Sequence, residues 1–257
     1  MSEDSARQQP LIQSVSRAVA ILKCFTGNPE LGLAELSRMV GLHKSTTAGI
    51  VNTLKAEGFL EQNEKTGRLR LGLELFSLAV QARHGLSEIC EPYLNSLLDF
   101  TGETVNLAVL DKTEIVYIAK KESSHSIRIS TSVGARLPVY CTAIGKSILA
   151  FMDRAKAEAL LGRVVMTPYT DRTLTDRPAL LAEMDRILNA GVAYDFEEYE
   201  QGVICIAAPL YYKKGDPIGA ISVSGPTIRM DEAARKKITE TLTGIAAQVN
   251  GELSRLA

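Results

Sequence analysis

A chain of 257 residues, 46% of them hydrophobic, is long enough for about two domains with ordinary cores. A net charge of −1 excludes a polycation, and the mixed composition excludes a fibre or a disordered chain. No apolar run reaches membrane-spanning length, and the polar, mixed-charge stretch from Met1 to Pro10 is unlike a signal peptide.

Residues 1–13 read as a flexible arm. A helix follows, capped by Ser14 or Ser16 and running to about Phe25, with Val15, Ala18, Val19, Ile21, Leu22 and Phe25 as its apolar stripe. Gly27-Asn28-Pro29 ends it. Leu33 to Val40 is a second helix with Gly32 as its cap, and Gly41 supplies the left-handed residue at its end. Leu42 plugs the corner before a third helix, Ser45 to Glu57, in which Ile50, Val51 and Leu54 face inward. That leaves Lys44, Ser45, Thr46, Thr47, Asn52 and Thr53 on its outward side or first turn, the profile of a recognition helix that enters a major groove. Phe59 to Leu71 reads as a hairpin turning at Glu64 to Gly67, and Lys65, Arg68 and Arg70 make it a basic wing. Helix-turn-helix plus wing points to duplex DNA more sharply than either part. Residues 11–80 hold eight Lys/Arg against six Asp/Glu and residues 81–257 twenty against twenty-two, which fits a small DNA-facing domain on a near-neutral second domain. Leu73 to Arg83 resumes helical spacing as a linker helix that exposes apolar surface to a partner subunit.

After Gly85 the pattern changes. Ile89 to Phe100 is an amphipathic helix, Thr101 to Thr104 a turn, and Val105 to Leu110 and Ile115 to Ala119 are strands. Ile127-Arg128-Ile129 is expected to continue the sheet, Gly134 to Pro138 to be a loop, and Thr142 to Phe151 a helix opened by a polar cap. Ala155 to Leu161 and Pro178 to Asn189 are further helices, the latter introduced by Thr175 and closed near Gly191. Strands follow at Val192 to Phe196, Val203 to Leu210 and Ile218 to Val223, the last two joined at Lys213 to Asp216, and Asp231 to Leu256 is a terminal helix. Hairpins rather than βαβ crossovers argue an α+β fold with a mostly antiparallel sheet flanked by helices. The domains so read are a winged helix-turn-helix at 14–72, a linker helix at 73–85 and a second domain at 86–257.

Several separated motifs carry a resemblance. They are Ser16 to Leu22 (SRAVAIL), Glu35-Leu36-Ser37, Gly41 to Thr46 (GLHKST), Gly134 to Pro138 (GARLP), Thr142 to Lys146 (TAIGK), Gly202 to Pro209 (GVICIAAP) and Gly219 to Pro226 (GAISVSGP). Together they resemble the IclR-type bacterial transcriptional regulators over roughly residues 14–256. The resemblance implies a winged helix-turn-helix, a linker helix and a GAF-like C-terminal domain that binds a small organic effector. It also implies a homodimer or homotetramer that switches catabolic operons, acting as repressor or activator. Two departures stand out: many members carry Pro where His43 stands and Arg where Gly49 stands. Gly49 costs about 1 kcal/mol of helix propensity relative to Ala and offers no contact to DNA, so Lys44, Ser45, Thr46 and the wing arginines must carry more of it.

Taken alone, Thr142 to Lys146 is a helix start whose free amides and positive dipole end suit a carboxylate, although a plain capped helix would look the same. Through the resemblance, Ala143 and Ile144 match positions whose backbone holds the effector's carboxylate. Asp195, Cys205, Ser222 and Ser224 match polar pocket positions, and Ile129, Leu137 and Val203 its apolar wall. Ser222 and Ser224 are two apart on a strand and so share a face. The rival classes are a small-acid hydrolase with Cys205 or Ser222 as nucleophile, and a thiol redox sensor through Cys141 and Cys205. The three histidines, His43, His84 and His125, form no Ser-His-Asp pattern, and there is no P-loop or metal-ligand cluster, so neither catalysis nor a cofactor is expected. Cys24, Cys90, Cys141 and Cys205 are widely spaced without a CxxC, which fits reduced thiols in a cytoplasmic protein.

Overall fold

The computed structural model describes residues 11–81, 84–212 and 215–256. The chain divides into two compact units, Met1–His84 and Gly85–Ala257. Of the expected arm, residues 1–10 lie outside the described residues, as do residues 82–83 at the end of the expected linker helix and Lys213 and Lys214 of the expected hairpin turn.

In the first unit, helices α1 (Gln13–Lys23), α2 (Leu33–Met39) and α3 (Lys44–Ala56) precede strands β1 (Leu60–Gln62) and β2 (Leu69–Leu71) and helix α4 (Leu73–Gln81). Ile21, Phe25, Leu31, Leu36, Val51, Leu54, Leu60 and Leu69 make one core. The corner between α2 and α3 is fixed by Gly41 at φ +64°, which a Cβ would strain. It is closed by Ser37 Oγ donating to the Leu42 carbonyl at 2.6 Å. The cap of α1 is Ile12, not Ser14 or Ser16; its extended backbone makes no side-chain cap bond, and both serines fall inside the first turns. β1 and β2 pair antiparallel with Leu60 opposite Leu71, and Leu31 bridges to Leu69 beside them.

In the second unit a six-stranded antiparallel sheet has the order β5-β4-β3-β8-β7-β6. Its strands are β3 (Thr104–Asp111), β4 (Glu114–Lys121), β5 (Arg136–Pro138), β6 (Ala193–Phe196), β7 (Val203–Leu210) and β8 (Gly219–Pro226). The long helices α5 (His84–Thr101) and α9 (Glu232–Leu256) cover one face, while α6 (Ala143–Phe151), α7 (Arg154–Leu161) and α8 (Arg177–Ala190) cover the other. The two faces differ in side-chain size. Val105, Leu107, Ile204, Ile206, Ile221 and Val223 point to α5 and α9. The alternate positions towards α6, by contrast, are Ala108, Ala193, Cys205, Ala207 and Ala220. Ser222 and Ser224 extend this small-residue face along β8. That asymmetry leaves room between the sheet and the start of α6.

Three sequence expectations change. Ile127 to Ile129 is not a strand: its carbonyls are taken by side chains, Thr104 Oγ1 on Ile129 at 3.1 Å and Arg229 Nη2 on Ile127 at 2.8 Å. The edge strand beside β4 is Arg136–Pro138 instead, within the expected loop; Pro138 is tolerated there because an edge needs no second donor row. The cap of α8 is Asp176 rather than Thr175, accepting the Ala179 amide at 3.0 Å. In addition, α5 begins at His84, five residues before the first apolar residue of the expected helix.

Two glycines predict opposite outcomes. A Cβ at Gly145 would stand 2.1 Å from the Val139 carbonyl oxygen, backbone that cannot step aside, whereas at Gly49 it would meet nothing within 4 Å. Gly145→Ala is expected to destabilise the protein by roughly 1–3 kcal/mol, and Gly49→Ala to stabilise it by up to about 1 kcal/mol. Equilibrium unfolding of the full chain in urea checks both signs.

Candidate functional site

The recognition-helix face comes first. Lys44, Ser45, Thr46 and Asn52 are exposed on α3. His43 caps the helix with extended backbone and no side-chain bond, so the first amides of α3 keep their outward donors. Thr47 corrects the expectation: it is fully buried, with Oγ1 donating to the His43 carbonyl at 3.2 Å. It belongs to the inward face because it stands four residues before Val51 and seven before Leu54. The wing is also built differently. Its turn is an Asx turn in which Asn63 Oδ1 accepts the Lys65 and Thr66 amides at 3.0 and 3.3 Å, leaving Lys65 exposed at the tip. Arg68 turns back onto α2, its Nη2 bonding Glu35 Oε2 at 2.7 Å and the Glu30 carbonyl at 3.1 Å. Glu35 also accepts the Gly32 amide, and that bond, with Arg68 beside it, holds its carboxyl below the usual carboxylate range. Arg70 pairs with Glu61 at 2.9 Å on the surface, a bond that water or phosphate can replace at small cost. Of the three basic wing residues, Arg68 therefore serves as an anchor for the wing.

The second site is a cavity of about 230 Å³ between the small-residue face of the sheet and the N-terminus of α6. All nine positions singled out in the sequence line it: Ile129, Leu137, Ala143, Ile144, Asp195, Val203, Cys205, Ser222 and Ser224. Strand register explains the gathering. Asp195 on β6 lies opposite Cys205, Cys205 opposite Ser224, and Ser224 opposite Thr104, so one row crosses four strands. Tyr117, Ser130, Thr131, Thr142, Tyr199 and Glu200 complete the wall and were not foreseen. Tyr117 was foreseeable, since it follows Ile115 by two on one strand face; Ser130 and Thr131 directly follow Ile127 to Ile129, the segment expected to be sheet. Thr131 Oγ1 donates to Asn106 Oδ1 at 2.6 Å, and Asn106 Nδ2 donates to Ser224 Oγ at 3.4 Å. The ring of Tyr199, part of that wall, stands 4.9 Å from the ring of Tyr169.

The start of α6 meets the requirements for holding an anion. Thr142 Oγ1 accepts the Gly145 amide at 3.2 Å and donates to the Pro138 carbonyl at 2.9 Å, which fixes the cap. The amides of Ala143 and Ile144 have no intrahelical acceptor and stand at the positive end of the dipole beside the cavity. No cationic side chain among the described residues lines it. The buried Lys146 instead pairs with Glu198 Oε1 and lies 3.7 Å from Glu183 Oε1. These partners are up to 52 positions apart, so no local pattern announces them. Asp195 Oδ1 accepts the Glu198 amide at 2.7 Å. Burial nevertheless pushes its carboxyl up to about 7, the Glu198 charge adding to the rise and the amide bond opposing it.

The thiols do not suit attack or redox sensing. Burial pushes Cys141 up to about 12 and Cys205 higher still, where a nucleophile or sensor needs a lowered value. No cluster of three or more His, Cys, Asp or Glu among the described residues is placed to hold a metal.

Comparison with known proteins agrees with both halves. The family model described as the IclR helix-turn-helix domain matches residues 14–64, and that of the bacterial transcriptional regulator IclR C-terminal domain matches residues 78–251. The chain belongs to the IclR family of bacterial transcriptional regulators. Among the relatives of this IclR-family protein is the HTH-type transcriptional regulator XynR of Escherichia coli (strain K12), 37% identical over 236 residues, covering 91% of this chain and 94% of that one. The crystal structure of Thermotoga maritima IclR matches with a TM-score of 0.78 at 28% identity, over 93% of this chain and 98% of that one. An IclR homologue from Microbacterium hydrocarbonoxydans, crystallised with 4-hydroxybenzoate, matches in fold with a TM-score of 0.85 at 23% identity, over 95% of this chain and 100% of that one. Like its relatives, which are named as transcriptional regulators, this chain pairs a DNA-binding helix-turn-helix with an effector-domain fold. No helix among the described residues is long and apolar enough to cross a membrane.

Asp195 gives a stability prediction whose sign is fixed by linkage. Its folded value of about 7 lies above the ordinary 3.8, so the folded state loses stability as pH rises between the two and carries a constant penalty above about 7. Asp195→Asn keeps an acceptor for the Glu198 amide and removes the penalty. The ligand-free variant is expected to match wild type near pH 4 and to exceed it above pH 7, by up to about 4 kcal/mol. Denaturant unfolding of both proteins across this pH range measures the difference.

Proposed function

We propose that this regulator binds a symmetric operator as a homodimer, or as a tetramer made of two such dimers, and that a small organic acid in the cavity controls its grip on DNA. The observation that carries the reading is the cavity itself: free helix-start amides beside hydroxyls, a buried carboxyl and an apolar wall, in a chain with an exposed recognition helix. The amides take the acid's carboxylate, and Asp195, Ser222, Ser224 and Cys205 orient the remainder. Ile129, Leu137 and Val203 exclude water from its apolar part. The regulated genes are a catabolic operon for such an acid, and the protein acts in the cytoplasm. The 4-hydroxybenzoate complex of the Microbacterium homologue supports an acid as the effector class and makes that compound a member of the first screen.

On the DNA side, Lys44, Ser45, Thr46 and Asn52 enter the major groove, with Lys65 and Arg70 on flanking phosphates. Arg68 acts through the position of the wing. Leu73, Phe76 and Leu78 on α4, exposed by 74%, 68% and 49%, supply the apolar surface for a second subunit, together with Val15 and Val19 of α1.

Fluorescence anisotropy against the chain's own promoter region tests the DNA half. A Lys44→Ala/Lys65→Ala double variant is expected to bind more weakly on all sequences, with the slope of log K against log salt reduced by about 1 per lysine. Equal binding and an unchanged slope would remove these residues from the interface. Light scattering tests the assembly: Phe76→Glu is expected to shift the full chain towards monomer, and an unaltered mass would place the interface elsewhere.

A thermal-shift screen of hydroxylated, oxo and aromatic acids tests the effector half. An acid that binds the folded state at a hundred times its Kd adds about 2.7 kcal/mol of apparent stability. Its amide or methyl ester is expected to shift the transition far less, because the charge-assisted bonds to the α6 amides are lost. An acid that binds tightly yet leaves operator affinity unchanged would sink the switch.

A further inference from the structure

We infer that the cavity takes up a proton together with its acid, and that Asp195 is the residue that holds it. This rests on the acid-binding reading above and concerns how that site handles charge. The geometry is a matter of charge balance. Behind the cavity, Lys146 lies between Glu198 and Glu183, and Glu183 Oε2 is also bonded to Arg186 at 2.7 Å. Two cations thus face two carboxylates, and the buried Lys146, though its charge is felt at Asp195, does not offset the effect of burial there.

Asp195 is the odd charge. It is buried and lines the cavity with the α6 amides. The groups around it offer no further cation. Glu198, Tyr199 and Glu200 come from the segment that follows it, Cys205 from β7 and Tyr117 from β4; Cys141 and Lys146 come from the α6 side. Burial of Asp195 raises its affinity for a proton even with the cavity empty. A second carboxylate in the same low-dielectric space makes two like charges without a counter-ion, so one proton must enter as the acid binds. Protonated Asp195 then becomes a donor to the acid's second oxygen or hydroxyl, while its Oδ1 keeps the Glu198 amide. Binding therefore weakens as pH rises above the value at which free Asp195 ionises, and is flat below it.

Calorimetric titration of the full chain with glycolate and with 4-hydroxybenzoate tests this, in buffers of low and high ionisation enthalpy. The carboxylates of both probes are ionised throughout the range used. At about pH 8 close to one proton is expected to be taken up per acid bound, and at about pH 6 close to none. Across the two units of pH between, the apparent Kd is expected to rise about tenfold. Asp195→Asn is expected to bind with no proton uptake and no dependence on pH, while Glu198→Gln retains the uptake. Equal wild-type affinity at both pH values overturns the inference and leaves the acid site standing, and uptake that survives in Asp195→Asn overturns the assignment to that residue. Binding of neither probe at either pH removes the acid site and this inference with it. The wild-type titrations decide the linkage even where a variant folds poorly.

Discussion

The effector half of this molecule depends on how closely α6 can approach the strand before it. Gly145 lies against the Val139 carbonyl with no space for a side chain, and Thr142 ties the helix start to the Pro138 carbonyl. These contacts fix where the first amides of α6 stand. The small side chains of the facing sheet then decide that the space in front of them stays open. Had β7 and β8 carried leucine or isoleucine at 205, 207, 222 and 224, the same helix would cap a solid core. The opposite face of the same strands shows this, since Ile204, Ile206, Ile221 and Val223 fill it against α5 and α9. One alternation of large and small residues thus sets stability on one side and a binding space on the other.

In the DNA-binding half the comparable economy is in the wing. A hairpin of two three-residue strands buries little and would be marginal by itself. Here it is held by Arg68 on Glu35 and the Glu30 carbonyl, by Asn63 on Glu30 and by the Leu31–Leu69 bridge. Each such contact between exposed groups contributes little, but together they connect the wing to the start of α2, the helix that precedes the recognition helix. The position of Lys65 relative to α3 is thereby set by side chains that reach back to the start of α2.

Much of this was legible in the sequence. The helix spacing of Leu36, Val51 and Leu54, the left-handed Gly41 and the hairpin spacing of the wing gave the first unit. The period-two pattern around Ser222 and Ser224 gave the sheet face. What escaped follows a physical rule. Thr47 was assigned outward by its polarity, although its place on the helix turn puts it inside and its hydroxyl is satisfied by the carbonyl four residues back. Ile127 to Ile129 has strand composition but no ladder, because strand formation depends on which backbone is free to pair, and there side chains from distant elements occupy it. Lys146, Glu183 and Glu198 are separated in sequence and meet only through the tertiary fold. Polarity, local propensity and spacing do not encode such meetings; register and packing do.

The segment from 122 to 135 forms part of the cavity wall without belonging to the sheet. It is held by Thr104 on the Ile129 carbonyl, by Lys120 on the Thr131 carbonyl at 2.6 Å and by Thr131 on Asn106. The groups that fasten it sit largely on the strands, while the side chains of Ile129 and Ser130 face the cavity as substitutable positions. Drift at those two positions leaves the ladder and both cores intact. A lineage can therefore retune which molecule this half accepts without passing through an unstable intermediate, and the DNA-reading half need not change with it.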